Sequence, residues 1–344
     1  AGAREDEGEA RLARLVAGRF ETDHTDLHVG YGDRTLLPRM AWHFGEPFAD
    51  ISALAVHQIS KAAREHITVA LTGDGGDESF CGYANVRAAL VAERMRRLLP
   101  GPVRTAMHTL LGQGAVRRRL PAAARFDRWL TRYVARPASG QYDLINHWDA
   151  ALRQSLYVAR ALPEAGAASV VESVQQGAGS LSDAELHLYT DVRLRLPADY
   201  LTKVDIASNM ASLEVRSPFL DHEVMELAAS LPLSVRMRGW RQKALLRALV
   251  KRRLPPELAS APKRGFGPPL GRWLRREWAD LVDGLVDRRL AARDGLFDGE
   301  VIRRCVAEHR AGIADHTQRL WTLAALELWL ELFVDRSLSP GDAV

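Results

Sequence analysis

Apolar positions recur at helical spacing through most of this chain. Ala10, Leu12, Leu15, Val16 and Ala17 fall at mostly three-to-four-residue steps and predict a helix over 7–20. The same period predicts helices over 36–44 and 52–66, the second with Ser52 as its N-cap. Two stretches break the period. Asp26 to Val29 reads as a short strand, and Ile67-Thr68-Val69-Ala70-Leu71 is a compact, β-branched run that predicts a buried strand. Strand alternating with helix predicts an α/β fold with parallel strands.

From Ala84 onward the helical period takes over and strand-like runs are scarce. Pro100, Pro102, Pro121 and Pro137 punctuate this part, and 175–180 is a loop before a helix opening at Ser182 or Asp183. Asp221 is placed to cap a helix over 222–228. Leu320, Trp321, Leu323, Ala324, Leu326, Leu328, Trp329 and Leu332 predict a core helix over 317–334. The pattern divides the chain into an α/β portion, 1–95, and a helical remainder, 96–344, without internal repeats.

Composition narrows the class. With 344 residues, 47% of them apolar, the chain can bury a large core and is globular. No run approaches the eighteen or so apolar residues of a membrane span, and Arg4-Glu5-Asp6-Glu7 is unlike a signal peptide, so a cytoplasmic protein with no membrane partner is expected. Cys81 and Cys305 lie far apart with no metal-ligand spacing and are expected to be reduced thiols. The net charge is +4, but runs such as 93–97 and Arg117-Arg118-Arg119 have the character of solvated helix faces. Without an aromatic-basic module beside them, no nucleic-acid partner is expected. A modest positive field does suit a polyphosphate ligand.

The densest candidate chemistry follows the predicted strand at 67–71. Leu71-Thr72-Gly73-Asp74-Gly75-Gly76-Asp77-Glu78 mixes glycines, which let backbone approach a ligand, with carboxylates, which suit magnesium. Such a cluster is either a ligand loop at the end of a parallel strand or an ordinary turn. Lys203 and Asp205 sit two residues apart and cannot both face one core. Lys243 stands near the start of an amphipathic helix, as an anion site or as a solvated lysine. Lys263 belongs to a basic turn, Pro262-Lys263-Arg264-Gly265-Phe266-Gly267.

Taken in order, Leu71 to Tyr83, Leu201 to Asp205, Glu214 to Asp221, Gly239 with Lys243 to Arg247, Lys263 to Gly267 and the 320–329 helix resemble the synthetase domain of the asparagine synthetase family. The acidic segment Glu46-Pro47-Phe48-Ala49-Asp50-Ile51-Ser52 fits the same family. The resemblance implies an ATP-pyrophosphatase core, N-terminally incomplete over 1–95, with 96–344 adding substrate and phosphate contacts. It implies ATP and Mg2+ as cofactors and an acyl-adenylate route in which a substrate carboxylate attacks ATP and an amine then displaces AMP. Asp77 corresponds to the metal ligand, and Asp74 and Lys243 to catalytic positions. Leu71, Thr72, Gly73, Gly75, Gly76, Lys203, Asp205 and Lys263 correspond to nucleotide-site positions. The implied partners are a carboxylate substrate (aspartate or an analogue), ammonia from glutamine, and a glutaminase domain or subunit upstream, with a homodimer allowed.

Three departures from the family pattern matter. Asp74 stands where asparagine-forming members carry Glu, and the shorter side chain sets a proton acceptor back by about 1.5 Å. Ser79 and Cys81 replace the usual Leu and Gly, and Cys81, with no base adjoining it, reads as a packed thiol. The family's Ser-Gly-Gly-x-Asp-Ser loop is expected upstream of Ala1, and without it ATP is expected to bind weakly or not at all. These features leave two alternatives beside asparagine-type chemistry. One is a natural-product or polysaccharide amidotransferase or cyclase resembling β-lactam synthetases and lasso-peptide cyclases; the other is a non-catalytic scaffold subunit.

Overall fold

The computed structural model describes residues 2–30, 32–103, 106, 109, 147–148, 150–158, 167–260, 267–293 and 295–344. The expectations on 117–119, Pro121, Pro137 and Lys263 to Phe266 lie outside these residues. The described chain is mostly helical around a small parallel sheet, an α/β arrangement in which two strands, β1 (Val69–Leu71) and β2 (Glu214–Arg216), pair in register Val69 to Glu214, Ala70 to Val215 and Leu71 to Arg216.

Sequence periodicity located most helices. They include Gly2–Phe20, Leu37–Phe44, Ser52–Arg64, Ala84–Leu98, Asp183–Thr190, His222–Ser230 and Thr317–Trp329. Ser182 caps the fifth of these through a reciprocal pair of bonds with Glu185, and Asp221 accepts from Glu223 N at 2.9 Å. Ser52, however, is not the cap of its helix. Asp50 takes that role, accepting from Ser52 N at 2.9 Å and from its hydroxyl at 2.7 Å, because a carboxylate two residues upstream reaches the first free amides.

The strands corrected the sequence reading in three places. Asp26 to Val29 forms no strand; Asp26 instead holds Arg14 Nε at 2.7 Å and His24 at 3.0 Å, and no strand among the described residues pairs with it. β1 is shorter than predicted and is not buried: Ile67, Val69 and Leu71 are exposed, Leu71 at 73%, since among the described residues no layer covers that face of the small sheet. β2 was invisible in the pattern because Glu214 and Arg216 flank a single apolar residue.

The main core lies among the C-terminal helices. Leu320, Trp321, Leu323 and Leu328 pack against Val282, Leu285 and Val286, and Leu37, Met40 and Leu54 join the same cluster. A smaller cluster of Cys81, Val86, Ala89, Ala184, Leu188 and Met237 lies behind the 72–83 loop. Helix Ser52–Arg64 packs along Thr202–Asn209. This contact fixes the 46–52 segment against Lys203. No helix among the described residues is long and apolar enough to cross a membrane.

Candidate active site

β1 delivers the glycine-rich loop, and the residues after β2 hold it. Thr72 N donates to Arg216 O at 2.9 Å, carrying the strand pairing one step further. The Thr72 hydroxyl donates to Asp74 Oδ2 at 2.7 Å and lies 2.6 Å from Ser217 Oγ. A hydroxyl has one proton, so with Asp74 as its acceptor Ser217 becomes the donor in the second bond. Gly75 turns at φ +83°, where any Cβ would run into the Leu220 side chain, and Gly76 lies against the Phe219 ring. Leu71 to Tyr83 and Glu214 to Asp221 thus form one unit, and Gly75 and Gly76 are the surfaces where they meet.

The loop continues through the short helix Gly76–Ser79 and closes on Lys243. Asp77 Oδ1 lies 2.9 Å from Lys243 Nζ, with the side chains 26% and 30% exposed. Gly82 roofs the pair: a Cβ there would overlap Asp77 Oδ1 and sit 2.6 Å from Lys243 Cε. Gly82 N donates to Asp77 O and Gln242 Nε2 donates to Gly82 O, each at 2.7 Å. Cys81 at φ 58° and Lys243 at φ 52° both hold left-handed backbone, which costs non-glycine residues on the order of 1–2 kcal/mol. Lys243 is one member of the ion pair, and Cys81 precedes the glycine that roofs it. Lys243 is also the residue from which helix Ala244–Arg253 starts.

Behind the loop lies an aromatic and charged wall. Glu78, buried, accepts from Tyr83 Oη at 2.6 Å; burial pushes its carboxyl up, and this outweighs the hydrogen bond that favours the anion. The Tyr83 ring stacks on Tyr200 at 5.9 Å, and Arg195 lies over both rings at 5.6 and 4.9 Å while donating to Tyr200 Oη. Arg195 and Tyr200 face the same way because Asp191–Leu201, which contains Pro197, is wound as a wide π-type helix that aligns residues five apart. Lys203 Nζ lies 5.0 Å from the Tyr200 ring centre and 2.7 Å from Asp50 Oδ2. Burial pushes the Asp50 carboxyl up, but Lys203 and the Ser52 donors outweigh it and hold the group below the ordinary range.

The expected site residues therefore separate. Thr72, Gly73, Asp74, Gly75, Gly76, Asp77 and Lys243 share one loop-and-helix junction, and Lys203 joins it through Tyr200 and Tyr83. Asp205 is exposed and accepts from Asn209 Nδ2 at 3.0 Å, away from this cluster. Leu71 is solvent-exposed at the end of β1. Lys263 lies outside the described residues. Cys81 is a packed thiol, fully buried and pushed up to about 11 by that burial. Sequence reasoning did not single out Arg195, Tyr200 or Gly82, because their roles come from winding and close packing, for which sequence spacing carries no signal.

Among the described residues, no three His, Cys, Asp or Glu side chains converge to hold a metal ion. Magnesium does not need such a cage, since it is bound through one or two carboxylates together with substrate phosphates. Asp77 supplies one carboxylate beside a lysine, a donor set that fits a phosphate-bridged magnesium.

The asparagine synthase family model matches residues 2–331. A Mycobacterium bovis protein, provisionally named an asparagine synthetase (glutamine-hydrolyzing), is 32% identical over 310 residues, 88% of this chain and 45% of that protein. Asparagine synthetase (glutamine-hydrolyzing) 1 of Bacillus subtilis is 25% identical over 313 residues, 89% and 47% of the two chains. Amidase chry2 of Gibberella zeae is 24% identical over 339 residues, 87% and 49%. The chain spans about half the length of these relatives. With a family model covering nearly all of it, the chain belongs to the asparagine synthase family.

Proposed function

We propose that the protein takes part in ATP-dependent amide formation through an acyl-adenylate, releasing AMP and pyrophosphate. The Asp77–Lys243 pair carries this reading: a carboxylate and an ammonium 2.9 Å apart, roofed by glycine and set in strained backbone, are poised to exchange each other for metal and phosphate. Asp77 would hold a magnesium ion, which would supply charge neutralisation on the phosphates. Lys243, released from Asp77, places its ammonium on the phosphate oxygens where negative charge gathers as pyrophosphate leaves. Thr72, Gly73, Gly75 and Gly76 line the nucleotide side of the loop. The acyl substrate is aspartate or an analogue, and the amine is ammonia released from glutamine by a glutaminase domain or subunit, as the names of the relatives suggest. Pyrophosphate exchange into ATP, measured with the full-length protein and candidate carboxylates, tests the reading. Silence with every acid tried, aspartate included, would count against it.

A second reading, in which an amine other than ammonia attacks, is favoured by Asp74. Its carboxylate is shorter than the Glu of asparagine-forming members and is bonded to the Thr72 hydroxyl at 2.7 Å, which draws it toward the strand end. Ammonia-independent product formation would separate this cyclase-like or amidotransferase-like chemistry from the asparagine route.

A further inference from the structure

Ser217 has no role in the chemistry proposed above, yet the fold fixes it firmly. It follows β2 directly, at φ −114° and ψ 98°, and Pro218 after it disfavours the helical backbone that would swing its side chain away. Its carbonyl accepts from Leu220 N at 3.0 Å, closing the short turn Pro218–Leu220. Across the sheet, Thr72 N donates to Arg216 O at 2.9 Å, so the backbones that carry Thr72 and Ser217 are tied together at the strand ends. Their hydroxyls meet at 2.6 Å.

Asp74 is held by less. It stands between Gly73 and Gly75, which leave the backbone on either side free to turn. Among the described residues its carboxylate takes one side-chain hydrogen bond, from the Thr72 hydroxyl at 2.7 Å. A threonine hydroxyl rotates about its own C–O bond and can point its proton at either neighbour. With Ser217 donating to it, the Thr72 oxygen is satisfied as an acceptor and its one proton is directed at Asp74 Oδ2. Bonds in such a row polarise one another, so the Ser217 bond strengthens the one that Asp74 receives. The turn that carries Ser217 therefore holds the loop twice. Leu220 and Phe219 pack on Gly75 and Gly76, and Ser217 reaches through Thr72 to the acid just before them.

We infer that Ser217 is a positioning residue for Asp74 in the step that forms the amide. The inference rests on the adenylation reading and names a part which that reading lacks. As the amine nitrogen bonds to the acyl carbon, AMP departs with the electrons of the broken C–O bond and the amine gives up one proton, which Asp74 accepts. With Oδ2 held by Thr72, Oδ1 is the oxygen left to take it. Adenylation passes no proton to Asp74, so the hydroxyl row acts on the second half-reaction alone.

Ser217→Thr and Ser217→Val test this, because the two side chains have the same shape and differ in one hydroxyl. Amide formation should fall about fivefold in Ser217→Val, the worth of one neutral hydrogen bond, through kcat with KM unchanged, and Ser217→Thr should restore it. Ser217→Ala, which adds no bulk, should match Ser217→Val. Pyrophosphate exchange should be the same in all three. Crystal structures of the variants read the placement without turnover: the Thr72–Asp74 bond should persist in Ser217→Thr and be lost in Ser217→Val. Equal amide formation in those two variants, parallel losses of exchange and amide formation, or an unmoved Asp74 carboxylate in Ser217→Val would overturn the inference. A parent protein silent in exchange would instead sink the adenylation reading, and the crystal structures would still decide whether Ser217 places Asp74.

Discussion

Asp50 and Lys203, 153 residues apart in sequence, meet at 2.7 Å, and the same Asp50 carboxylate caps the helix that begins at Ser52. One side chain therefore fixes a helix start and anchors the lysine that faces Tyr200. Lys203 is only 12% exposed, so losing its partner strands a largely buried ammonium. Asp50→Ala should cost about 4–6 kcal/mol, the sum of about 3–5 for a broken buried pair and about 1 for a lost cap. Asp50→Asn, which keeps a capping oxygen, should cost about 1 kcal/mol less. Urea denaturation of the two variants beside the parent measures both.

Gly82 offers a test of the site that leaves its charged groups intact. The Cβ of Gly82→Ala would overlap Asp77 Oδ1, so the Asp77–Lys243 pair cannot keep its geometry. Displacements of about 1 Å in a catalytic constellation cost on the order of 100-fold in rate. Pyrophosphate exchange should fall by about that factor, with far-ultraviolet circular dichroism unchanged, and Asp77→Asn should abolish it.

Asp74 should act after adenylation and not during it. Asp74→Ala is expected to leave pyrophosphate exchange within a few-fold of the parent while amide formation falls on the order of 100-fold, the range of general acid–base contributions. Parallel assays of exchange and product formation decide it. Equal losses in both would place Asp74 in the first half-reaction.

The fully buried Asp191 sits between His187 Nε2, at 3.8 Å, and Arg195 Nη1, at 3.6 Å, and their titrations oppose each other. Burial pushes Asp191 up to about 6, so its contribution to stability is present below the ordinary carboxylate range and is lost as pH rises toward 6. Burial pushes His187 down to about 4, so its contribution is present above pH 6.5 and is lost as pH falls toward 4. Each of these displacements is worth on the order of 3 kcal/mol. Relative to the parent, Asp191→Asn should gain a stability that rises from pH 4 to 6.5, and His187→Gln the reverse slope. Denaturation midpoints across that window measure the two.

How far the sequence could be read depended on which forces left a pattern. Helices at Ser52–Arg64, Asp183–Thr190 and Thr317–Trp329 were legible because burying one face imposes a period, and the caps at Ser182 and Asp221 were legible because orphan amides demand an oxygen. The 72–83 loop stood out through its glycines and acids. Its buttress did not: Gly75 fits against Leu220 and Gly76 against Phe219, contacts that only the pairing of β1 with β2 creates. β2 itself is three residues with one apolar side chain, too short for any period. Arg195 and Tyr200 were missed for another reason. They align through a wide helical turn, and reading them at ordinary α-helical spacing places them on different faces.

The parallel pairing of Val69–Leu71 with Glu214–Arg216 has a consequence for how the molecule is made. The loop that carries Asp77 leaves the ribosome before the strand it leans on and the lysine it meets, which are synthesised more than a hundred residues later. Contacts of such long sequence separation are slow to form because the intervening chain must close as one loop. Until Lys243 has been translated, the glycine-rich stretch is a nascent-chain segment without its scaffold, and the exposed Ile67, Val69 and Leu71 beside it are surface that a holdase chaperone can shield.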